Sequence, residues 1–169
     1  MASIWDTPEG KLGKEGENWV LKWRRDAGIY VMPATDYSGA DGTRAPMIRT
    51  WKEKIVLPDF YCAKGGVSWW DEAKSKSEPL KWRLHGGKCY HGIEKRQLGH
   101  YRHVNEITGL PVGLVVYEEC TGTYLYLKNF LHIEPVILGS GRIESGANKG
   151  VEMVNYPRCD FKEVVNAPS

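Results

Sequence analysis

Apolar residues recur at helical spacing across residues 11–27, where Leu12, Trp19, Val20, Trp23 and Ala27 gather on one side and Gly28 supplies a stop. A short strand is expected next, since Ile29-Tyr30-Val31-Met32 is apolar, partly β-branched and closed by Pro33. Residues 34–54 lose the pattern and carry Gly39, Gly42 and Pro46 with Arg44, Arg49, Lys52 and Lys54, which reads as a long basic loop. Loops of such length in a compact domain are usually functional or disordered, so substrate contact is an expectation here. Residues 54–62 and 67–74 read as two strands joined at Gly65-Gly66, a hairpin signal. A polar, lysine-rich connection broken by Pro79 leads to a second helix over residues 93–107, built on Ile93, Leu98, Tyr101, Val104 and Ile107 and ended by Gly109 and Pro111. Residues 112–117 and 124–127 are two further strands around a Thr121-Gly122 turn, and 136–138 is a weaker third. The glycine-rich stretch 139–150 and the N-terminal extension 1–10 are expected to be mobile, and residues 151–154 to return as an edge strand. The order α-β-β-β-α-β-β implies an α/β domain, a mixed central β-sheet flanked by helices.

At 169 residues the chain suits one domain, 1–169, with a sizeable core. A composition of 41% hydrophobic and 26% charged residues argues against wholesale disorder. No stretch is apolar enough to span a membrane, and residues 1–8 lack the basic and apolar regions of a secretory signal, so a cytoplasmic or, for a virus, host-intracellular setting is expected. Cys62, Cys89, Cys120 and Cys159 are scattered without a C-x-x-C pair, which suggests free thiols.

The net charge of +2 does not by itself indicate a polyanionic partner. Its distribution changes the picture. Across residues 80–105 lie Lys81, Arg83, Lys88, Lys95, Arg96 and Arg102, with His85, His91, His100 and His103, against the single acid Glu94. The segment suits either a bound polyanion or a solvated surface balanced elsewhere.

Chemistry concentrates in the hairpin. If Gly65-Gly66 is a two-residue loop, Lys64 pairs with Val67 and Asp59 lies opposite Glu72. Glu72 and Lys74 then share a face with each other and with Asp59. A loop centred on Gly65 alone would instead set Asp59 opposite Asp71 and turn Glu72 away. Directly opposed carboxylates repel, so the first register calls for a cation, and an oxygen-seeking Mg2+ or Mn2+ fits, with the Ala73 carbonyl as a further donor.

The runs Leu57-Pro58-Asp59-Phe60 and Trp70-Asp71-Glu72-Ala73-Lys74 resemble the signature of the PD-(D/E)xK nuclease superfamily. The resemblance covers residues 11–127 and implies a restriction-endonuclease-like core of order α-β-β-β-α-β. It also implies a glutamate on the first helix, which Glu17 supplies with Glu15 as substitute. One branch, exonuclease V-like, carries Gln-x-x-x-Tyr on the helix after the Glu-x-Lys strand, and Gln97 and Tyr101 have that spacing, one turn apart on one helix face. The implied activity is metal-dependent hydrolysis of phosphodiesters in DNA, less often RNA, by an exonuclease or structure-specific endonuclease. Asp59, Glu72, Glu17 and Ala73 would hold the metal, and Lys74 would orient the attacking water. Arg44, Arg49, Lys52, Lys88, Lys95, Arg96 and Arg102 would meet DNA that is double-stranded, branched or single-stranded at its ends. A junction-resolving member would be a dimer, an end-processing one a monomer or ring, and a compact nuclease suits a viral or mobile-element genome. The alternative is a non-catalytic nucleic-acid-binding or scaffolding protein that keeps the fold.

Two other chemistries find less support. His85, Cys89 and His91, or His100 and His103, match no standard zinc spacing. Residues 141–146 begin like a phosphate loop, but Ala147 stands where lysine is required.

Overall fold

The computed structural model describes residues 8–34, 47–49, 54–143 and 149–164. In chain order the elements are α1 (Pro8–Asp26), β1 (Tyr30–Pro33), β2 (Met47–Arg49), β3 (Lys54–Val56), β4 (Phe60–Lys64), β5 (Val67–Lys76), β6 (Leu80–Trp82), β7 (Lys88–Glu94), α2 (Lys95–Thr108), β8 (Val112–Glu118), β9 (Thr123–Leu127), β10 (Met153–Pro157) and β11 (Lys162–Val164). Six strands form the central sheet in the order β1-β4-β5-β8-β9-β11. Only β5 and β8 run parallel; the other pairs are antiparallel, so the sheet is mixed as expected.

The hairpin register is that of the two-residue loop. Gly65 and Gly66 both take positive φ, 58° and 79°, as a type I′ turn requires, and the ladder runs from Lys64↔Val67 to Phe60↔Asp71. Alternation then sorts side chains to two faces. Val31, Phe60, Cys62 and Val115 pack under α1 through Val20, with Trp69 beside them. Trp70, Val112, Leu114, Val116, Leu125 and Leu127 pack under Leu98, Tyr101 and Val104 of α2. Helices therefore cover opposite faces of the sheet.

Several elements differ from the sequence reading. The expected strand over 54–62 is two strands, because the chain leaves the ladder at Leu57-Pro58-Asp59, where proline has no N–H to donate. Part of the expected loop over 34–54 is ordered, since Met47–Arg49 pairs with Lys54–Val56. The connection read as irregular before the second helix contains β6 and β7, which join β10 in a second sheet of order β10-β7-β6. Ile93 belongs to β7, and α2 starts two residues later at Lys95. Residues 136–138 make only an isolated bridge, Val136↔Asn155, and the strand expected at 151–154 is β10, an edge of the second sheet. In the glycine-rich stretch, the Ile143 N–H donates to the Val151 carbonyl and the Gly150 N–H to the Ile143 carbonyl, while residues 144–148 lie outside the described residues.

A buried ion pair docks α1. Arg24, 6% exposed, donates from Nε to Oδ2 of the fully buried Asp71 at 2.8 Å, with Nη2 also 2.8 Å from that oxygen in the ion pair. Trp69 Nε1 donates to the same oxygen at 3.1 Å, and the guanidinium lies 3.8 Å from the Trp23 ring centroid and 4.6 Å from that of Tyr126. Removing one partner leaves the other charge buried and unpaired. Asp71→Ala is accordingly expected to cost about 3–5 kcal/mol of stability, measured by denaturant unfolding; a loss below 1 kcal/mol would show that the pair does not anchor the helix.

Candidate active site

The β4–β5 ladder stops at Phe60↔Asp71, while β5 continues to Lys76 beside β8. Among the described residues no strand covers that open edge of β5. Asp59 occupies its start, with Oδ2 accepting the Ala73 N–H at 2.9 Å. Backbone N–H and C=O of one residue point to the same side of a strand, so the Ala73 carbonyl also faces this edge.

Glu72, 1% exposed, and Lys74 lie on the α2 face and form an ion pair through Glu72 Oε1. The buried Tyr101 hydroxyl hydrogen-bonds Glu72 as well. Glu72 Oε2 is buried without a hydrogen-bond partner. Burial and then the Glu72 charge push the Asp59 carboxyl well above its ordinary value, against the opposing pull of Lys74 and of the Ala73 N–H. Burial works against the Lys74 charge, yet Glu72 and Asp59 outweigh it and hold the ammonium above its usual value. The three groups are thus one electrostatic unit.

Glu17 reaches the same unit from α1. Its carboxyl is raised by burial and then by Glu72, and lowered by Lys74. The approach depends on Gly16, because a Cβ there would lie 2.3 Å from Ser75 Oγ on β5. Glu15 faces elsewhere: its charge acts on Tyr124, whose hydroxyl is raised to about 12 by burial, Tyr117 and Glu15 in that order. Gln97 and Tyr101, four residues apart, both face the site. Tyr101 touches Glu72, and Gln97 lines a cavity of about 180 Å³ with Lys74, Lys76 and Glu94.

Two residues at the site escaped the sequence reading. Lys76 follows Lys74 at strand spacing on the same face, and burial and then Lys74 lower its pKa. Glu94, on the last position of β7, raises Lys74 and Lys76 electrostatically. The basic residues are divided. Lys95 and Arg96 open α2 next to Glu94 and Gln97, with Lys95 ion-paired to Glu152 at 3.2 Å. Lys88 is at the other end of β7, about 20 Å away at ~3.4 Å per residue, and Arg102 is exposed further along α2. Arg44, Lys52 and the side chain of Arg49 lie outside the described residues.

The histidines read as the weaker zinc candidates have other partners. His85 Nδ1 is 2.8 Å from the Tyr90 hydroxyl, and His91 Nε2 is 2.6 Å from Glu118 Oε1. Among the described residues no three histidine, cysteine or acidic side chains form a metal cage by themselves.

The fold is shared with known proteins. The structure of Hjc, a Holliday junction resolvase from Archaeoglobus fulgidus, superimposes with a TM-score of 0.53 over 88% of this chain and 86% of that chain, at 9% identity. D212, a nuclease from a fusselovirus, is similar over 94% of this chain and 88% of that chain at 11% identity, with a TM-score of 0.45. No family model and no curated protein matches the chain. The likeness to the resolvase shows the restriction-endonuclease-like fold that the PD-(D/E)xK resemblance implies.

A carboxyl held above its ordinary 3.8 destabilises the fold wherever it must ionise. For Asp59 the cost is absent below the unfolded value and grows as pH rises toward the folded one. In chelator, Asp59→Asn, whose amide oxygen can still accept the Ala73 N–H, should be more stable than the parent at pH 7, with the difference closing below pH ~4. Urea unfolding of both proteins across this range measures it; a variant less stable at pH 7 would contradict the assigned environment.

Proposed function

We propose that the chain is a metal-dependent nuclease that hydrolyses phosphodiester bonds in DNA. The observation that carries this reading is the convergence of Asp59, Glu72 and Lys74 where β4 leaves β5, within a nuclease fold. The residues present fit Mg2+ or Mn2+. All the nearby donors are oxygens, Glu72 Oε2 is buried with no partner, and Asp59 and Glu72 repel each other until a cation separates them. Magnesium keeps several waters and needs only one or two carboxylates, so Asp59 and Glu72 with the Ala73 carbonyl suffice and Glu17 acts through water.

When bound, the metal supplies charge stabilisation for the phosphate and lowers the pKa of a water. The chain's own groups do the rest. Tyr101 fixes the Glu72 carboxylate through its hydroxyl. Lys74 stays protonated beside Glu72 and Asp59, so it orients the attacking water and offsets charge gathering on the phosphate. Gln97 at the cavity mouth offers an amide to a phosphate oxygen. Lys95, Arg96 and Arg102 on α2, with Lys88 at the distal end of β7, give a sequence-independent attraction for the DNA backbone. Arg44, Arg49 and Lys52 are assigned the same role.

Linear, flapped and four-way DNA should be cut with Mg2+ or Mn2+ and left intact in excess chelator; full activity in chelator would refute the metal requirement. Within the site the roles separate. Asp59→Asn should lose both metal binding in calorimetric titration and cleavage. Lys74→Ala should lose roughly 10²–10³-fold in cleavage while still binding metal. Near-normal turnover of a folded Lys74→Ala protein would remove Lys74 from the mechanism. At the DNA surface, Arg96→Glu should weaken binding and flatten its salt dependence, and an unchanged salt slope would place Arg96 on a merely solvated face.

A further inference from the structure

A second, larger cavity opens beside the site. It has a volume of about 350 Å³ and lies against the second sheet, where Trp82, Tyr90, His91 and Asn155 form part of its wall and Lys76 and Arg142 contribute cations. It shares Lys76, Gly92, Ile143 and Met153 with the small cavity that contains Lys74 and Gln97. The two cavities are neighbours, and Lys74, the ion-pair partner of Glu72, lines the smaller one.

The wall has the features of a site for a flat ring. Most of its surface is apolar, and Trp82 is held by close packing on Gly139, where a Cβ would lie 2.8 Å from the indole. His91 is 2% exposed, and its Nε2 edge is taken by Glu118. Strand alternation turns its imidazole away from Tyr90, toward Glu118 and the Phe161 ring, and Nδ1 is buried in that packing. The volume is at the small end of ligand sites, sufficient for one ring system and too small for a helix or duplex.

We propose that this cavity receives one unpaired nucleobase of the strand whose phosphate lies at Asp59 and Glu72, so that cleavage takes place next to an unpaired nucleotide. The inference rests on the nuclease reading and names its substrate class. Trp82 and Tyr90 supply the aromatic wall, and Lys74 and Lys76, alternate residues on one face of β5, follow the backbone between cavity and centre. A base within a continuous duplex would have to be unstacked first, at an energetic cost that is least for flaps, single-stranded ends and mismatches.

The test is an abasic scan. Flapped DNA with a single abasic site moved nucleotide by nucleotide through the junction is bound to the full-length protein, with calcium replacing magnesium to suppress turnover. One position should weaken binding by roughly tenfold or more. Trp82→Ala should bind intact DNA correspondingly less well and show no further loss at that position, while Trp82→Phe retains the effect. A flat scan with the unaltered protein, or undiminished position sensitivity in Trp82→Ala, overturns the cavity assignment even if flapped DNA is cut with magnesium. A position-specific loss in a protein that cuts no DNA with any metal supports the base site and overturns the nuclease reading instead.

Discussion

The structure turns on one strand that carries charge on both of its buried faces. Asp71 points to the α1 side and Glu72 to the α2 side, and neither can be left unpaired in the interior. The two demands are met differently. Asp71 gathers Arg24, Trp69 and Cys62 on Oδ2, with Oδ1 buried and without a hydrogen-bond partner, and becomes the anchor of α1. Glu72 receives Lys74 and Tyr101 but keeps one oxygen without a partner, next to a second carboxyl at Asp59. The α1 side is closed by one carboxylate against one guanidinium, and the α2 side, where Asp59 adds its carboxyl to the Glu72–Lys74 pair, is left short of positive charge. The second condition is what a resident cation would relieve.

The closed face serves the open one. The Arg24–Asp71 pair fixes the rotation of α1, and the glycine at position 16 lets the helix approach β5 near Ser75. Together they bring Glu17 to the end of β5 that extends past β4. The proline at position 58 contributes from the other strand, ending the β4 ladder where Asp59 can turn its carboxylate onto the Ala73 N–H. A longer β4 would have covered the edge that the Ala73 carbonyl now faces.

The hairpin, its register and the two helices were legible in the sequence because each rests on a local signal. Gly65-Gly66 sets the turn, and the turn sets the ladder down to Phe60↔Asp71, which leaves Asp59 at the edge beside Glu72 and Ala73. Trp69 and Trp70 pack on opposite faces as strand alternation requires, and the four-residue step from Gln97 to Tyr101 places both at the site. The second sheet was hidden for a physical reason. β6 has three residues, of which Leu80 and Lys81 are exposed, and β7 contains Gly92 beside Tyr90 and His91, whose polar groups are buried against His85 and the distant Glu118. His91 reads as a surface histidine until Glu118 and Arg158, remote in sequence, close around it. Glu94 was lost with β7, since a helix begun at Ile93 makes it a solvated first-turn acid.

The second sheet also gives the site its directionality. A minimal centre made only of Asp59, Glu72 and Lys74 at an open strand edge could meet a phosphate from either side. Here β7 runs from Lys88 to Glu94 and delivers α2 directly against Glu72, while its partner β10 ties back through the Lys95 N–H to the Glu152 carbonyl. The core formed by Ile93, Val154 and Tyr156 is continuous with that under α2, so the added sheet is rigidly joined to the helix that carries Gln97 and Tyr101. One flank of the acidic centre is therefore a fixed wall with its own cavity. On the nuclease reading, a strand passing the centre would meet Lys76 and the aromatic wall on this flank and a different surface on the other. On the nuclease reading proposed above, such asymmetry would distinguish the two sides of a scissile phosphate without any contact to base sequence.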